Sequence, residues 1–259
     1  MNINLYYFSG SGNTKWVADR FKESFHFYGS SVELVNIENL EKVDINNCDT
    51  IIIGTPIHAE VAPKIVMDFI KKLPNNSTGI ECMLYATLGA TSAAALDIIR
   101  NILKSKGYTV VSQSFITMPN NYSFGVGKEP STEKICKVLE EAQIRIKRVV
   151  EETLKKSNKI DSVSIFRVGL GKVAGKSFMK FLPRMARHLT ALEECNKCGL
   201  CLRNCPKGNI TFENGRAVFH SHCIMCTRCV HICPLNAIRY KGKKINQTQR
   251  NIIKSLDIR

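Results

Sequence analysis

The chain has 259 residues, of which 44% are hydrophobic and 23% are charged, a balance typical of a folded protein and unlike a disordered one. Apolar runs such as Ile51–Ile53 are far too short to cross a bilayer, and the first residues carry no basic segment, so we expect neither a transmembrane helix nor a signal peptide. The net charge of +15 is uneven, because it is +1 over residues 1–158, +6 over 159–189 and +8 over 190–259.

Residues 1–158 alternate between strand-like and helix-like patterns. Short runs rich in branched residues predict strands at Ile3–Phe8, Val32–Val35, Thr50–Ile53, Cys82–Ala86 and Tyr108–Ile116. Helical periodicity predicts helices over about residues 14–27, 63–73, 92–107 and 131–156, the third of them capped by Ser92. Five strands that alternate with helices predict a doubly wound α/β fold, a parallel sheet of order 2-1-3-4-5 with helices on both faces.

The segment Ser9-Gly10-Ser11-Gly12-Asn13-Thr14 lies between the first strand and the first helix, where sheets of this kind bind ligands. Its small residues let successive N–H groups face one point, and the helix N-terminus and the hydroxyl groups complete a nest for a phosphate. The segment lacks the Gly-Lys-Ser/Thr of a Walker A loop and the third glycine of a dinucleotide fingerprint. The alternative is a Gly/Ser turn that binds nothing.

In this position the segment resembles the phosphate loop of flavodoxins, and the resemblance implies a flavodoxin-like domain over residues 1–158 that binds FMN. By the same resemblance, the loops after strands 3 and 4 enclose the flavin ring and the loop after strand 5 lies nearby. The predicted FMN-binding residues are Ser9, Gly10, Ser11, Gly12, Asn13, Thr14, Thr55, Pro56, Ile57, His58, Thr87, Leu88, Gly89, Asn120, Asn121 and Tyr122. The ring-stacking aromatic residue of many flavodoxins is absent from the strand-3 loop, so Tyr122 or His58 is the candidate to replace it, although His58 is more simply an ordinary loop histidine.

Residues 159–190 form a basic segment between the predicted FMN-binding domain and the C-terminal part of the chain. On a helical wheel one side carries Lys172, Lys176, Lys180, Arg184 and Arg187, and the other carries Phe178, Phe181, Leu182, Met185 and Leu189. Pro183 and several glycines oppose a regular helix. We interpret the segment as a linker helix that packs its apolar side on one domain, with peripheral contact to an anionic membrane through residues 172–189 as the less favoured alternative.

Eight of the eleven cysteines lie between Cys195 and Cys233, in two runs of the form C-x2-C-x2-C-x3-C-P that repeat with a period of 28 residues. In such runs the first three cysteines bind one [4Fe–4S] cluster and the fourth binds the other cluster. The spacing predicts two ligand sets, Cys195, Cys198, Cys201 and Cys233 for one cluster, and Cys223, Cys226, Cys229 and Cys205 for the other. Structural zinc, which uses separated C-x2-C pairs, fits poorly. Clustered cysteines also indicate a reducing, cytoplasmic location rather than a disulfide scaffold.

Residues 195–238 or so resemble the bacterial two-cluster ferredoxins, and we expect a small α+β domain over 191–259 that includes a C-terminal tail. Thr211–Phe219 is predicted to form a hairpin that turns at Asn214-Gly215. Such ferredoxins are usually acidic, whereas this segment stays basic after both clusters are counted. We therefore predict acidic redox proteins of the ferredoxin or flavodoxin type as partners. Binding to nucleic acid would rest on charge alone, without a stacking or groove-reading motif, and we expect none.

The whole chain, apart from residues 159–194, resembles the flavodoxin–ferredoxin fusions of anaerobic bacteria and archaea, sometimes called ferrodoxins. The resemblance implies an electron-transfer flavoprotein that holds FMN and two [4Fe–4S] clusters in one chain and needs no catalytic residue. The alternative is a flavin-dependent reductase in which the clusters supply electrons and a small acceptor is reduced at the flavin. Loops 54–62 and 118–129 are long enough to form a lid over such an acceptor.

Overall fold

The computed structural model describes residues 1–43, 45, 47–90, 92–121, 130–157, 159–247, 250–253, 256 and 258. Its first half is built on five parallel strands, namely β1 (Asn2–Tyr7), β2 (Ser31–Asn36), β3 (Thr50–Pro56), β4 (Glu81–Leu88) and β5 (Thr109–Thr117). The strands lie in the order β2-β1-β3-β4-β5, with Ile3 opposite Val32 on one side and Thr50 on the other. The predicted doubly wound sheet and its strand order are confirmed.

Helices cover both faces of this sheet because successive residues of a buried strand point to opposite sides. On one face, α1 (Asn13–Phe27) and α4 (Thr132–Leu154) pack over a core that includes Ile52. On the other face, α2 (Lys64–Lys72) and α3 (Ala95–Ser105) pack over a core that includes Ile51 and Ile53. The central strands therefore contribute apolar side chains to the cores on both faces of the sheet.

Two local predictions in this half differ from the structure. Ser92 was expected to cap α3, but the helix begins at Ala95, and the Ser92 hydroxyl instead accepts a hydrogen bond of 3.0 Å from Arg167 Nη1. Strands β3 and β4 also run further than predicted, with Pro56 still paired to Thr87. The additional backbone pairing extends β3 and β4 to the carboxyl edge of the sheet, where the loops predicted to bind FMN begin.

The second half starts with a long helix, α5 (Ile165–Ala186), which continues through Pro183. Ser164 caps its N-terminus, because the Ser164 side chain accepts from the Arg167 amide. The remaining strands are short: β6 (Leu189–Ala191) pairs with β9 (Ile238–Tyr240), β9 pairs with β10 (Lys243–Lys244), and β7 (Ile210–Glu213) forms a hairpin with β8 (Arg216–Phe219). Asn214 and Gly215 have φ angles of 49° and 75° at the hairpin turn, as predicted. Short helices α6 (Leu200–Arg203), α7 (Arg228–Ile232) and α8 (Arg250–Ile253) complete this half.

The cysteine-rich half packs directly on the carboxyl edge of the large sheet. Ile224 belongs to the core under α2 and α3, and the half-buried Cys226 packs against the same core. Ile252, from α8, enters the core under α1 and α4, and its carbonyl oxygen lies where a side chain at Gly12 would have to stand. The loops predicted to bind FMN are thus covered by the cysteine-rich half. Among the helices that the structure describes, none is both long and apolar enough to cross a membrane.

Candidate cofactor sites

The Ser9–Thr14 loop leaves β1 and enters α1 with its side chains turned inward. Gly12 precedes the helix with a φ of 104°, a left-handed conformation that favours glycine, and it has no side chain with which to cap the N-terminal amides. The Ser9 hydroxyl accepts from the Lys15 amide at 3.1 Å, and the hydroxyls of Thr14 and Thr87 lie 2.8 Å apart. Ser9 satisfies the Lys15 amide, and the amides that precede Lys15 in the first turn can still bind an anion.

Side chains from the neighbouring loops fix this arrangement. The Asn13 side chain donates to the Pro119 carbonyl oxygen at 3.0 Å, and Asn121 donates to the Ser11 hydroxyl. The fully buried Tyr85 donates its hydroxyl to the Thr14 carbonyl oxygen at 3.0 Å. The loop after β1 is therefore joined by hydrogen bonds to the carboxyl end of β4 and to the loop after β5, around one space.

One cavity lies among these loops, and most of the residues predicted to bind FMN line it. The predicted lining residues are Ser9, Gly10, Ser11, Asn13, Thr14, Pro56, Ile57, His58, Thr87, Leu88, Gly89, Asn120 and Asn121. Gly12 does not line the cavity, and Thr55 is fully buried with its hydroxyl donating to the Pro56 carbonyl oxygen. Tyr122 lies outside the described residues. Three lining residues were not predicted, namely Pro119, Cys226 and Thr227.

His58 stands at the edge of this cavity in the loop after β3. Its backbone forms a bridge with Val61, and its imidazole interacts with the backbone of Ile224 from the cysteine-rich half. Burial lowers the pKa of His58 to about 4, although the hydrogen bond to Ile224 opposes that shift. The imidazole is therefore neutral at neutral pH, and it joins the loop after β3 to the second cysteine run.

The eight clustered cysteines divide between two further cavities in the way that their spacing predicts. One cavity is lined by Cys205, Cys223, Cys226 and Cys229, which we call the proximal cysteines because Cys226 also lines the cavity of the sheet loops. The other is lined by Cys195, Cys198, Cys201 and Cys233, which we call the distal cysteines. Four sulfur donors in each cavity fit a [4Fe–4S] cluster, which takes each thiolate at a different iron. Within the described part of the chain, no three His, Cys, Asp or Glu side chains converge as they would around a single metal ion.

The same backbone hydrogen bond to the fourth cysteine occurs in both cysteine runs. The Asn209 amide donates to Cys205 Sγ at 3.3 Å, and the Ala237 amide donates to Cys233 Sγ at the same distance. Such N–H donors tune the potential of a bound cluster. Burial raises the pKa of the Cys226 thiol to about 12 and that of Cys201 to about 11, so iron has to displace their protons to bind.

The proximal cysteine run lies directly on the phosphate loop. A Cβ atom built on Gly10 would stand 2.6 Å from the Cys226 carbonyl oxygen and 2.9 Å from its Cβ. Only a glycine leaves room for this approach, because such distances are well inside van der Waals contact. The cavity of the sheet loops and the proximal cysteine cavity therefore share Cys226 and Thr227 as a wall.

A buried arginine holds the two halves together at this wall. Arg228 donates to the carbonyl oxygens of Ser9 at 2.6 Å, Gly10 at 2.9 Å and Asn204 at 3.1 Å. It also forms a bidentate ion pair with Glu38, and both side chains are less than 10% exposed. The sequence analysis did not single out either residue. The one available signal is that Arg228 stands where the first cysteine run has Leu200, which breaks the repeat.

Comparisons with known proteins divide the chain in the same way as its structure. Residues 4–114 match the family model for flavodoxin domains, and residues 189–234 match the family model for 4Fe-4S dicluster domains. The flavodoxin of Megasphaera elsdenii is 26% identical over 122 residues, which cover 46% of this chain and 89% of that protein.

Two further similarities are more limited. The DNA-directed RNA polymerase subunit Rpo3 of Methanosarcina acetivorans is 30% identical over 96 residues, covering 33% of this chain and only 34% of that subunit. The solved flavodoxin of Streptococcus pneumoniae TIGR4 is 18% identical with a TM-score of 0.45, covering 60% of this chain and 99% of that one.

The two family matches give each half of the chain its cofactor. The flavodoxin domain implies FMN, and the dicluster domain, with its cysteines between residues 195 and 233, implies iron–sulfur clusters. The chain thus joins an N-terminal flavodoxin domain to a C-terminal 4Fe-4S dicluster domain, consistent with a flavodoxin–ferredoxin fusion, and it is an electron-transfer protein of the flavin and iron–sulfur type.

Proposed function

We propose that this protein moves electrons within one chain between FMN, bound in the cavity of the sheet loops, and two [4Fe–4S] clusters. The cluster on the proximal cysteines stands next to the flavin, and the cluster on the distal cysteines exchanges electrons with partner proteins. The domains that carry these roles are residues 1–158 for FMN and 191–259 for the clusters, joined by the basic segment 159–190.

The wall that two cavities share is the observation that most directly supports electron transfer from the flavin to the proximal cluster and on to the distal cluster. Cys226 lines both the flavin cavity and the proximal cysteine cavity, and the backbone of Gly10 touches it. Two redox sites that share one residue are held at a fixed separation and orientation. Each site is therefore present at a high effective concentration near the other. No diffusion step is then needed between flavin and cluster.

The residues of the chain supply binding, orientation and shielding. The amides at the start of α1 and the hydroxyls of Ser9, Ser11 and Thr14 would hold the FMN phosphate without a cationic side chain. The loops after β3, β4 and β5 would hold the ring, with neutral His58 beside it. When bound, FMN supplies one- and two-electron chemistry and each cluster supplies one-electron chemistry.

The surface around the distal cysteines supports exchange with acidic redox proteins. Cys198 is exposed, and the exposed side chains of Lys197 and Arg203 lie beside it, with Arg203 Nη1 donating to the Cys198 carbonyl oxygen at 3.1 Å. A basic rim around an exposed redox site steers negatively charged partners to it. We therefore propose that ferredoxin-type or flavodoxin-type partners dock here, in the cytoplasm, and that no nucleic acid is bound.

Anaerobic titration with dithionite, followed by visible absorbance, tests the cofactor complement. We expect the protein to take up about four electrons per chain, two at FMN and one at each cluster. Cys223→Ser and Cys198→Ser should each remove about one electron of this capacity, whereas Cys136→Ser, at an exposed cysteine on α4, should leave it unchanged. An uptake confined to the flavin, with no loss in either ligand variant, would contradict the proposal.

A further inference from the structure

Helix α5 leaves large apolar side chains in solvent. Ile165 is 91% exposed, Phe166 77%, Val173 65%, Leu170 55% and Phe181 49%. The sequence analysis expected the apolar side of this segment to be packed on one domain. Phe178, Leu182, Met185 and Leu189 do pack around the cysteine-rich core, but Phe181 and the whole first half of the helix do not. An exposed apolar patch of this extent marks an interaction site.

The orientation of α5 is fixed by its opposite side. Gly171 and Gly175 face the body, where a Cβ atom would stand 2.4 Å from Ala94 Cβ and 2.4 Å from Val61 Cγ1 respectively. The buried residues Leu182 and Ala186 continue the same stripe toward the C-terminus. Arg167 adds a bidentate contact to Glu60 and a hydrogen bond to Ser92. The close glycine contacts prevent rotation, so the apolar residues cannot turn inward.

Basic residues share the exposed side with the apolar ones. Residues 162–192 contain six Lys or Arg and no Asp or Glu. Arg167 is paired with Glu60, and the other five are exposed, namely Lys172, Lys176, Lys180, Arg184 and Arg187. The helical positions of these five fall within the same arc as Ile165, Phe166 and Val173. We call this arc the outer face of α5.

We propose that the outer face of α5 binds the surface of an anionic lipid bilayer, with the helix lying in the plane of the headgroups. Bulky apolar side chains that enter the acyl boundary, flanked by Lys and Arg that reach the phosphates, are the combination that interfacial helices use. Each basic residue near such a surface adds to the attraction. This site is separate from the flavin cavity and from both cysteine cavities, and the proposal holds whether or not electrons flow between them.

Two features favour a bilayer over an acidic protein as the occupant. Lysine is depleted in the centres of protein interfaces, whereas three of the five exposed basic residues here are lysines. The outer face also points away from the flavin cavity, because the inner side of α5 is the side that contacts Glu60 and Val61, next to His58. An electron-transfer partner has to approach a redox centre, whereas a membrane contact has no such need.

Co-sedimentation of the cofactor-loaded protein with vesicles tests this proposal. We expect binding to vesicles of phosphatidylcholine mixed with phosphatidylglycerol, and at least about tenfold weaker binding to phosphatidylcholine alone. Lys180→Gln with Arg184→Gln should weaken binding about 25-fold, at about fivefold for each charge removed. Phe166→Ser with Val173→Ser should weaken it at least about tenfold, because less apolar surface is buried.

Matched substitutions on another exposed helix serve as controls. Ile144 on α4 is 59% exposed, and Lys137 and Lys147 are exposed on the same helix. Ile144→Ser, and Lys137→Gln with Lys147→Gln, should leave vesicle binding unchanged, and flavin and cluster absorbance shows that every variant is folded. The proposal is wrong if the wild-type protein does not bind anionic vesicles, or if the control variants lose as much binding as the α5 variants. It is also wrong if the outer face retains an acidic ferredoxin while anionic vesicles are not bound.

Discussion

Arg228 of the cysteine-rich half and Glu38 of the flavodoxin domain form a buried ion pair, with Arg228 Nη1 donating to Glu38 Oε2 at 2.8 Å. The same guanidinium holds the carbonyl oxygens of Ser9 and Gly10. Because these two carbonyl groups point toward Arg228, the amides of the Ser9–Thr14 loop are left for a ligand in the cavity on the other side of the loop. A residue between two proximal cysteines thereby orients the loop that would bind the FMN phosphate.

We expect Arg228→Met to weaken FMN binding by at least about tenfold, because removing one partner of a buried ion pair leaves Glu38 uncompensated and frees the loop. Glu38→Gln should have a smaller effect in the same direction. Riboflavin, which has no phosphate, should bind equally well to both variants and to the wild type. Quenching of flavin fluorescence during titration of the flavin-depleted protein gives both affinities.

Arg216→Met is the matched control for this prediction. Arg216 pairs with Glu193, but both side chains are more than 60% exposed, and exposed pairs contribute little. Equal losses of FMN and riboflavin affinity in Arg228→Met would indicate general disruption of the fold and would argue against a specific role in orienting the phosphate loop.

Gly10→Ala should disrupt the contact between the two halves. The added methyl group would collide with the backbone of Cys226, and neither the loop nor the cysteine run can retreat without losing hydrogen bonds to Arg228. We expect lower FMN content and a lower midpoint of thermal unfolding, measured on the same anaerobic preparation. Gly169→Ala, in α5 with open space around the added methyl group, should leave both values unchanged or slightly raise the midpoint. Normal FMN content in Gly10→Ala would show that the halves do not meet as described.

Pairs of cysteine substitutions test the exchange of the fourth ligand between the two runs. Cys205→Ser combined with Cys223→Ser removes two ligands from the proximal set and should leave about four irons per chain. Cys205→Ser combined with Cys198→Ser removes one ligand from each set and should leave fewer, because both clusters are weakened. Iron analysis of anaerobically purified protein distinguishes the two results. The opposite pattern would mean that each run binds its own cluster with all four cysteines.

The free energy of unfolding should fall as the pH is lowered from about 6.5 to about 4. The pKa of His58 is about 4 in the folded protein, against an ordinary value of 6.5. Between these two values the unfolded chain binds more protons than the folded one, so acid favours unfolding. His58→Gln should reduce this dependence, seen in the apparent midpoint of anaerobic thermal unfolding. His26→Gln, at an exposed residue near the end of α1, should behave like the wild type, and an unchanged slope in His58→Gln would contradict a lowered pKa of the half-buried imidazole.

The sequence predicted the parts of this molecule that depend on local patterns. Alternating strand and helix periods predicted a parallel sheet covered on both faces, and its flavodoxin-like arrangement supplied the strand order. Asn214-Gly215 predicted the turn between β7 and β8. Most of the loop residues predicted around the flavin lie in one cavity because the carboxyl ends of neighbouring parallel strands meet at one edge of a sheet. The two cysteine cavities likewise follow from spacing alone.

The relationships between the halves were not predictable in this way. Glu38 and Arg228 are 190 residues apart, and no sequence pattern around either residue indicates that the two form an ion pair. The contact of Cys226 with Gly10 depends on how two folded units dock, which no period of hydrophobic residues encodes. Four of the five residues on the predicted apolar side of α5 do pack on the cysteine-rich core, and Phe181 does not. The approach of the helix to Ala94 and Val61 was not predictable, because it depends on Gly171 and Gly175, and the sequence pattern marks glycines only as residues that oppose a regular helix.

Flash photoreduction of the flavin tests directly whether electrons pass between the flavin and the proximal cluster within one chain. In the wild type and in Cys198→Ser, we expect the flavin absorbance to recover with a first-order rate that does not change with protein concentration, while cluster absorbance bleaches at the same rate. In Cys223→Ser this phase should be lost, because the proximal cluster is missing while the flavin cavity is intact. A rate that rises in proportion to protein concentration, or a phase that persists in Cys223→Ser, would contradict the account.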